Sequence, residues 1–196
     1  MNIAVEDLLS EAVLRSLLSQ IGREFIIPTC YGLRGADYLK QRLIGFNNAA
    51  KAIPYLVVVD LDAHLCPLAL LRNWQRFERH PNFLFRIAVK EIEAWILADR
   101  ESFAKWLGVL AQSIPEEVDS IPKPKEFLVS LAKKSNRRNL REDLVPAKGS
   151  IAKVGKGYNA VLSEFVSQHW KLTNAVNYSP SLMRAKNALV NFQPST

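Results

Sequence analysis

Three observations predict an α/β fold in which a parallel four-stranded sheet with flanking helices is followed by an all-helical C-terminal part. Short β-branched runs alternate with helical apolar stripes four times within the first 108 residues. Each connection is long enough for a crossover helix, which parallel pairing requires. Beyond Gly108 the apolar residues keep only helical spacing.

The elements follow in chain order. Ile3 to Val5 predicts the first strand, and Leu14, Leu17, Leu18 and Ile21 recur at helical spacing before Gly22 ends the helix. Phe25 to Ile27 predicts a second strand, and a helix beginning near Ala36 places Leu39, Leu43 and Phe46 on one face. Tyr55 to Val59 predicts the third strand. Pro67 suits the first turn of a helix carrying Leu70, Trp74 and Phe77. Phe83 to Val89 predicts a fourth strand, interrupted by Arg86. Asp99 is placed to cap a helix bearing Phe103, Trp106 and Leu107, with Gly108 beyond it. Further helices are predicted from Lys125, Tyr158 and Pro180. Residues 1–108 thus read as the α/β domain and 109–196 as a helical extension, with an aperiodic, glycine-containing basic loop over 135–157.

A 196-residue chain that is 48% hydrophobic has enough apolar material for a core and lacks the composition of a disordered chain. Its net charge of +7 is unevenly placed. Between Lys123 and Lys156 ten basic residues face three acidic ones, a balance of 10 − 3 = +7, so the rest of the chain is neutral. A polyanionic partner is expected on that ground. Cys30 and Cys66 are too few for a disulfide framework and, with His64, His80 and His169, match no zinc spacing. Glu6, Asp7 and Glu11 stand where a secretory signal would need basic and apolar residues, and no apolar run reaches membrane-spanning length. The expectation is a cytoplasmic protein without membrane contact.

In an open parallel sheet, ligands bind beyond the C-terminal strand ends, where the strand order reverses. Acidic residues collect there: Glu6 after the first strand, Asp60 and Asp62 after the third, Glu91 and Glu93 after the fourth. A flavodoxin-like order would place Glu6 beside Asp60 and Asp62, and alternation along an extended tail would aim both aspartates to one side. Carboxylates about 4 Å apart repel by roughly 4 kcal/mol at an effective dielectric near 20, so converging ones protonate or bind a cation. Mg²⁺ or Mn²⁺, hard ions that take oxygen ligands and support phosphodiester hydrolysis, are the expected cofactors. The alternative is that each acid caps the following helix.

The order strand-Glu6, Ser10-Glu11, strand-Asp60-Leu61-Asp62 resembles the toprim domain of topoisomerases, primases and OLD-type nucleases. The stretch Glu91-Ile92-Glu93-Ala94-Trp95-Ile96-Leu97-Ala98-Asp99 is similar to one in small stand-alone bacterial toprim-like proteins. The resemblance covers residues 1 to about 107, and Ser179-Pro180-Ser181-Leu182 is similar to those small proteins as well. It implies a toprim-like, Rossmann-like fold and a metal-dependent endonuclease. Glu6 would be general base or metal ligand, Asp60 and Asp62 ligands, and Glu11 and Glu93 further ligands. It also implies a nucleic-acid substrate, an ATPase partner protein, and a phage-defence or mobile-element setting. The pattern departs from the family where Asp7 replaces a glycine and Glu11 lies five residues after Glu6 instead of four.

Two rival readings accompany this one. Residues 57–65, Val-Val-Val-Asp-Leu-Asp-Ala-His-Leu, look like the first motif of haloacid-dehalogenase-type phosphatases, with Asp60 as nucleophile. In that family, though, the motif opens the domain and continues Gly-Thr. A non-catalytic nucleic-acid or protein-binding module is the other. For nucleic-acid contact, Lys148, Lys153 and Lys156 beside Gly149, Gly155 and Gly157 are the leading candidates, with Arg137 and Arg138. No Walker A motif is present. Trp74, Trp95, Trp106 and Trp170 read as core, and His169 as a structural residue on an apolar stripe.

Overall fold

The computed structural model describes residues 1–195. Its sheet contains β1 (Asn2–Val5), β2 (Cys30–Gly32), β3 (Tyr55–Asp60) and β4 (Phe83–Ala88), all parallel, in the order β2-β1-β3-β4. The two-residue period of the strands separates two apolar faces. Ile3, Val5, Leu56, Val58 and Leu84 face one core, while Ala4, Tyr55, Val57, Val59, Phe83 and Phe85 face the other. Both faces are covered, which is why these strands are apolar throughout.

The second face is covered by α2 (Ala36–Ala49) and α3 (Pro67–Trp74), through Leu39, Leu43, Phe46, Leu70 and Trp74. The first face carries α1 (Leu8–Gln20), whose Val13, Leu14, Leu17 and Leu18 are buried. Because α1 lies on one face and α2 and α3 on the other, the chain changes direction between β1 and β3. The crevice between their C-terminal ends is the switch point where α/β proteins bind ligands.

Beyond the sheet come α4 (Ile92–Leu97), α5 (Arg100–Leu107), α6 (Pro124–Lys133), α7 (Arg138–Leu144), α8 (Tyr158–Gln168), α9 (Leu172–Ala175) and α10 (Pro180–Val190). They pack with α1 on the first face, and one apolar core runs from Ile3 and Val58 through Trp95 to Leu162, Phe165 and Leu189. Indole hydrogen bonds tie the layers: Trp95 Nε1 donates to Ser181 Oγ at 2.8 Å and Trp170 Nε1 donates to the Trp95 carbonyl at 3.0 Å. The Ser179-Pro180-Ser181-Leu182 stretch is the start of α10. Ser179 Oγ accepts from the Leu182 amide, and Asp119 accepts from both Ser179 Oγ and the Ser181 amide.

The structure corrects four local expectations. The second strand is Cys30–Gly32, not Phe25–Ile27, because Pro28 has no N–H for the ladder; the hydrogen bonding to β1 begins with the Ile3 amide donating to the Thr29 carbonyl. Gly32 permits this edge pairing, since a Cβ there would lie 2.1 Å from the Val5 carbonyl oxygen. Phe77 lies beyond the end of α3, although it still packs edge-on against Phe83 at 6.3 Å. Asp99 does not cap its own helix. Its carboxylate accepts from the Lys171 amide and from Asn174 Nδ2, joining α5 to α9. Finally, the segment 135–157 is not loop throughout, because Arg138–Leu144 forms α7 with Leu144 buried.

Candidate acidic site

Glu6 leaves β1 toward the neighbouring strand, and its Oε1 accepts a hydrogen bond from the Asp60 amide at 2.9 Å. The side chain therefore spans the tips of the two strands that flank the crevice. Burial pushes the Glu6 carboxyl up to about 7; the Asp60 amide opposes that rise, while the charges of Asp62 and Asp7 add to it. Asp60, the last residue of β3, is held well above the ordinary carboxylate range, first by burial and then by Glu6, Glu93, Asp62 and Asp7. Of the acids at the first and fourth strand ends, Glu6 and Glu93 thus both bear on the charge of Asp60.

Asp62 does not extend the strand alternation. Its φ of 48° lies in the left-handed region and its amide donates to the Lys90 carbonyl at 2.9 Å, so the chain turns there. Aspartate tolerates this conformation better than most residues. The result is an exposed carboxylate above the crevice instead of a second one aligned with Asp60.

Glu93, 1% exposed, brings a third strand-end carboxylate inward from α4. Its Oε1 accepts from the Tyr158 hydroxyl at 3.0 Å and lies 3.5 Å from Lys125 Nζ, whereas Oε2 is buried with no partner among the described residues. Burial raises the Glu93 pKa despite the opposing pulls of Lys125 and Tyr158. Lys125 shows the reverse balance: burial lowers it, but Glu93, Glu91, Asp60 and Asp7 outweigh that and hold it charged. Tyr158 is pushed up by burial and by the Glu93 charge, so its hydroxyl stays a donor.

Sequence reading did not single out Lys125 and Tyr158 as site residues. Lys125 was one cation in a basic run and Tyr158 merely opened a helix. Nothing local in the sequence links either residue to Glu93; the packing of α6 brings in the Lys125 ammonium, and the start of α8 brings in the Tyr158 hydroxyl.

Other candidate ligands serve elsewhere. Glu91 Oε2 accepts from the Lys125 amide at 2.7 Å and so caps the start of α6. Asp7 caps α1 by accepting from the Ser10 amide at 2.8 Å. Glu11 pairs with Arg15 at 2.8 Å and faces Cys30, whose thiol is pushed up to about 12 by burial and then by the Glu11 carboxylate. Among the described residues no three His, Cys, Asp or Glu side chains are grouped so as to hold a metal ion. The donor chemistry nevertheless suits a hard cation: the acids are carboxylate oxygens, Glu93 Oε2 lacks a partner, and Asp60 is destabilised by its neighbours.

The basic segment has a definite internal structure. Gly155 and Gly157 are used for contact with the chain itself: a Cβ at Gly155 would lie 2.1 Å from the Asp143 carbonyl oxygen, and one at Gly157 would lie 2.5 Å from Asp143 Oδ1. Their amides donate to the Leu144 and Asp143 carbonyls. This holds the loop against α7 and delivers Tyr158 to Glu93. Lys148, Lys153 and Lys156 remain exposed, as do Arg137 and Arg138, the latter paired with Glu142 at 2.7 Å. Trp74, Trp95 and Trp170 are buried as predicted, while Trp106 is partly buried. His169 is exposed at the end of α8, not structural in the core, because the helix ends at Gln168 and the stripe passes to Trp170.

Comparison of the chain with protein-family models, with curated proteins and with solved structures finds no match. Among the described residues no helix is long and apolar enough to cross a membrane.

Proposed function

We propose that this protein is a divalent-metal-dependent nuclease of toprim or OLD-like type, hydrolysing phosphodiester bonds of nucleic acid, with DNA as the leading substrate. The observation that supports this reading is the group of buried or partly buried carboxylates at the switch-point crevice: burial raises Glu6, Asp60 and Glu93, and the charges of Glu6 and Glu93 raise Asp60 further. Such a set favours either a proton or a cation between its members. Asp60, Glu93 and Asp62 are the residues that would hold Mg²⁺ or Mn²⁺. The bound ion supplies charge neutralisation and Lewis-acid stabilisation of developing negative charge on phosphate oxygens.

The remaining work belongs to the chain. Glu6 titrates near neutrality, which suits a general base that accepts a proton from attacking water, and the Asp60 amide fixes which of its oxygens is free. Lys125 and Tyr158 orient Glu93 by holding one oxygen and leaving the other open. The exposed cations of the basic segment would offset repulsion between the acids and phosphate. A nearby ATPase partner and a phage-defence role rest on the family resemblance alone.

The second reading, a non-catalytic binding module, has a specific observation behind it, since Asp7 and Glu91 do cap helices. The phosphatase reading is weaker, because a carboxyl held well above its ordinary range, as Asp60 is, is a poor nucleophile until its neighbours are neutralised. A plasmid and oligonucleotide cleavage assay in Mg²⁺, Mn²⁺ or EDTA separates the three. The nuclease reading requires metal-dependent cleavage that Asp60→Asn/Asp62→Asn abolishes; equal activity in both proteins refutes it. Metal-dependent release of phosphate from a monoester, with a trapped phospho-aspartate, would favour the phosphatase.

A further inference from the structure

The end of α8 remote from Tyr158 carries a second feature, a cavity of about 320 Å³ whose lining includes Lys105 and Trp106 of α5, Arg137 ahead of α7, Gln168 and His169 at the end of α8, and Lys171 ahead of α9. No carboxylate lines it. None of its three permanent cations takes part in an ion pair among the described residues. Arg137 is held in place because its Nη2 donates to the Lys105 carbonyl at 3.2 Å, leaving its other donors available.

Helix-end electrostatics account for only part of this. Lys105 in the last turn of α5 and Arg137 on a carbonyl of that turn complement the negative C-terminal end of that helix. Lys171 stands at the start of α9, where a cation gains nothing from the helix. Two of the acids nearby are engaged elsewhere, and Glu101, in the first turn of α5, is exposed outside the lining. Asp99 accepts from the Lys171 amide at 2.7 Å and from Asn174 at 3.1 Å, and Glu164 accepts from Gln168 at 3.4 Å.

Trp106 adds an aromatic surface. Its ring rests on Phe165 at 4.9 Å and on Phe103 at 5.5 Å, which fixes its plane. Trp106 and Arg137 also line a neighbouring cavity of about 410 Å³ that contains Arg138 and Glu164. Two cavities that share a rigid aromatic and an arginine form a trough suited to successive groups of a chain. A positive groove with an aromatic platform is the arrangement by which proteins hold single-stranded nucleic acid without reading its sequence.

We propose that this trough binds a single nucleic-acid strand, with Lys105, Arg137 and Lys171 contacting phosphates and Trp106 stacking on a base. Along α8 it lies about 15 Å from Tyr158, at 1.5 Å rise per residue, so it is a contact distinct from the acidic crevice.

The test is fluorescence anisotropy with a labelled 20-nucleotide oligothymidine in EDTA, titrated between 50 and 200 mM NaCl. Cleavage plays no part in that measurement, so it is independent of whether the crevice hydrolyses anything. Each lost phosphate contact lowers the salt slope by about 0.7 and, at 0.1 M salt, affinity by about five-fold. Lys105→Ala/Lys171→Ala should therefore bind about 25-fold more weakly, with a slope smaller by about 1.4. Trp106→Leu should weaken binding several-fold with the slope unchanged, and Trp106→Tyr should retain most of the affinity. Should the leucine variant fail to fold, the tyrosine variant and the two exposed lysines still carry the test. Unchanged affinity and slope in the lysine variant, or no binding by the wild type at 50 mM salt, would overturn the proposal.

Discussion

The raised pKa of Glu6 makes stability depend on pH in a direction opposite to that of most carboxylates. Its ordinary value is 4.5 and its folded value about 7, so between these limits the native state binds a proton that the unfolded state has released. Stability from this group is full below about pH 4.5 and is lost as pH rises through 7. A rise from 4.5 to about 7 corresponds to roughly 3 kcal/mol, reduced to about 2 because the side chain is only partly buried and solvent screens its open side. For a chain of this length that is a melting-temperature change of roughly 4–8 °C.

Glu6→Gln keeps the oxygen that accepts from the Asp60 amide and removes the titrating charge. Thermal denaturation of wild type and variant in EDTA, at intervals from pH 4.5 to 8, isolates the effect as a difference between two curves. The variant should match the wild type at pH 4.5 and exceed it by several degrees at pH 8. Relief of Asp60, which burial raises and the Glu6 charge raises further, adds to the gain at high pH. A difference that is flat with pH, or that grows toward low pH, would refute the placing of Glu6 as a carboxyl raised by burial and by neighbouring acids.

Other expectations follow from the same geometry. At pH 8, Mg²⁺ or Mn²⁺ at 100 times its dissociation constant should stabilise the wild type by about 2.7 kcal/mol in urea denaturation, and Asp60→Asn should lose that response. Tyr158→Phe removes the buried donor to Glu93 and should cost about 1–3 kcal/mol, measured the same way. Gly155→Ala puts a methyl group 2.1 Å from the Asp143 carbonyl oxygen; it should destabilise by about 1–3 kcal/mol and speed proteolysis between α7 and α8.

The α/β class, the helical C-terminal part and the position of the acids at strand ends could be read from local pattern because strand and helix periods are local properties. Edge strand β2 could not: Cys30-Tyr31-Gly32 has weak strand character, and the stronger signal at Phe25–Ile27 is cut off by Pro28. The Asp60-x-Asp62 spacing implied two aligned carboxylates, but a turn stabilised by the Lys90 carbonyl sets Asp62 apart.

By itself the sequence determined that carboxylates would gather at the C-terminal end of a parallel sheet and that the excess positive charge would lie in a separate segment. Tertiary structure decided what each charge does. Glu91 and Glu93 are two residues apart, yet one caps α6 and the other is buried with an unpartnered oxygen, because α6 and α8 approach them from different parts of the chain. The burial that raises a pKa, and the cation that opposes it, both come from residues distant in sequence, and only the packed fold sets their distance and exposure.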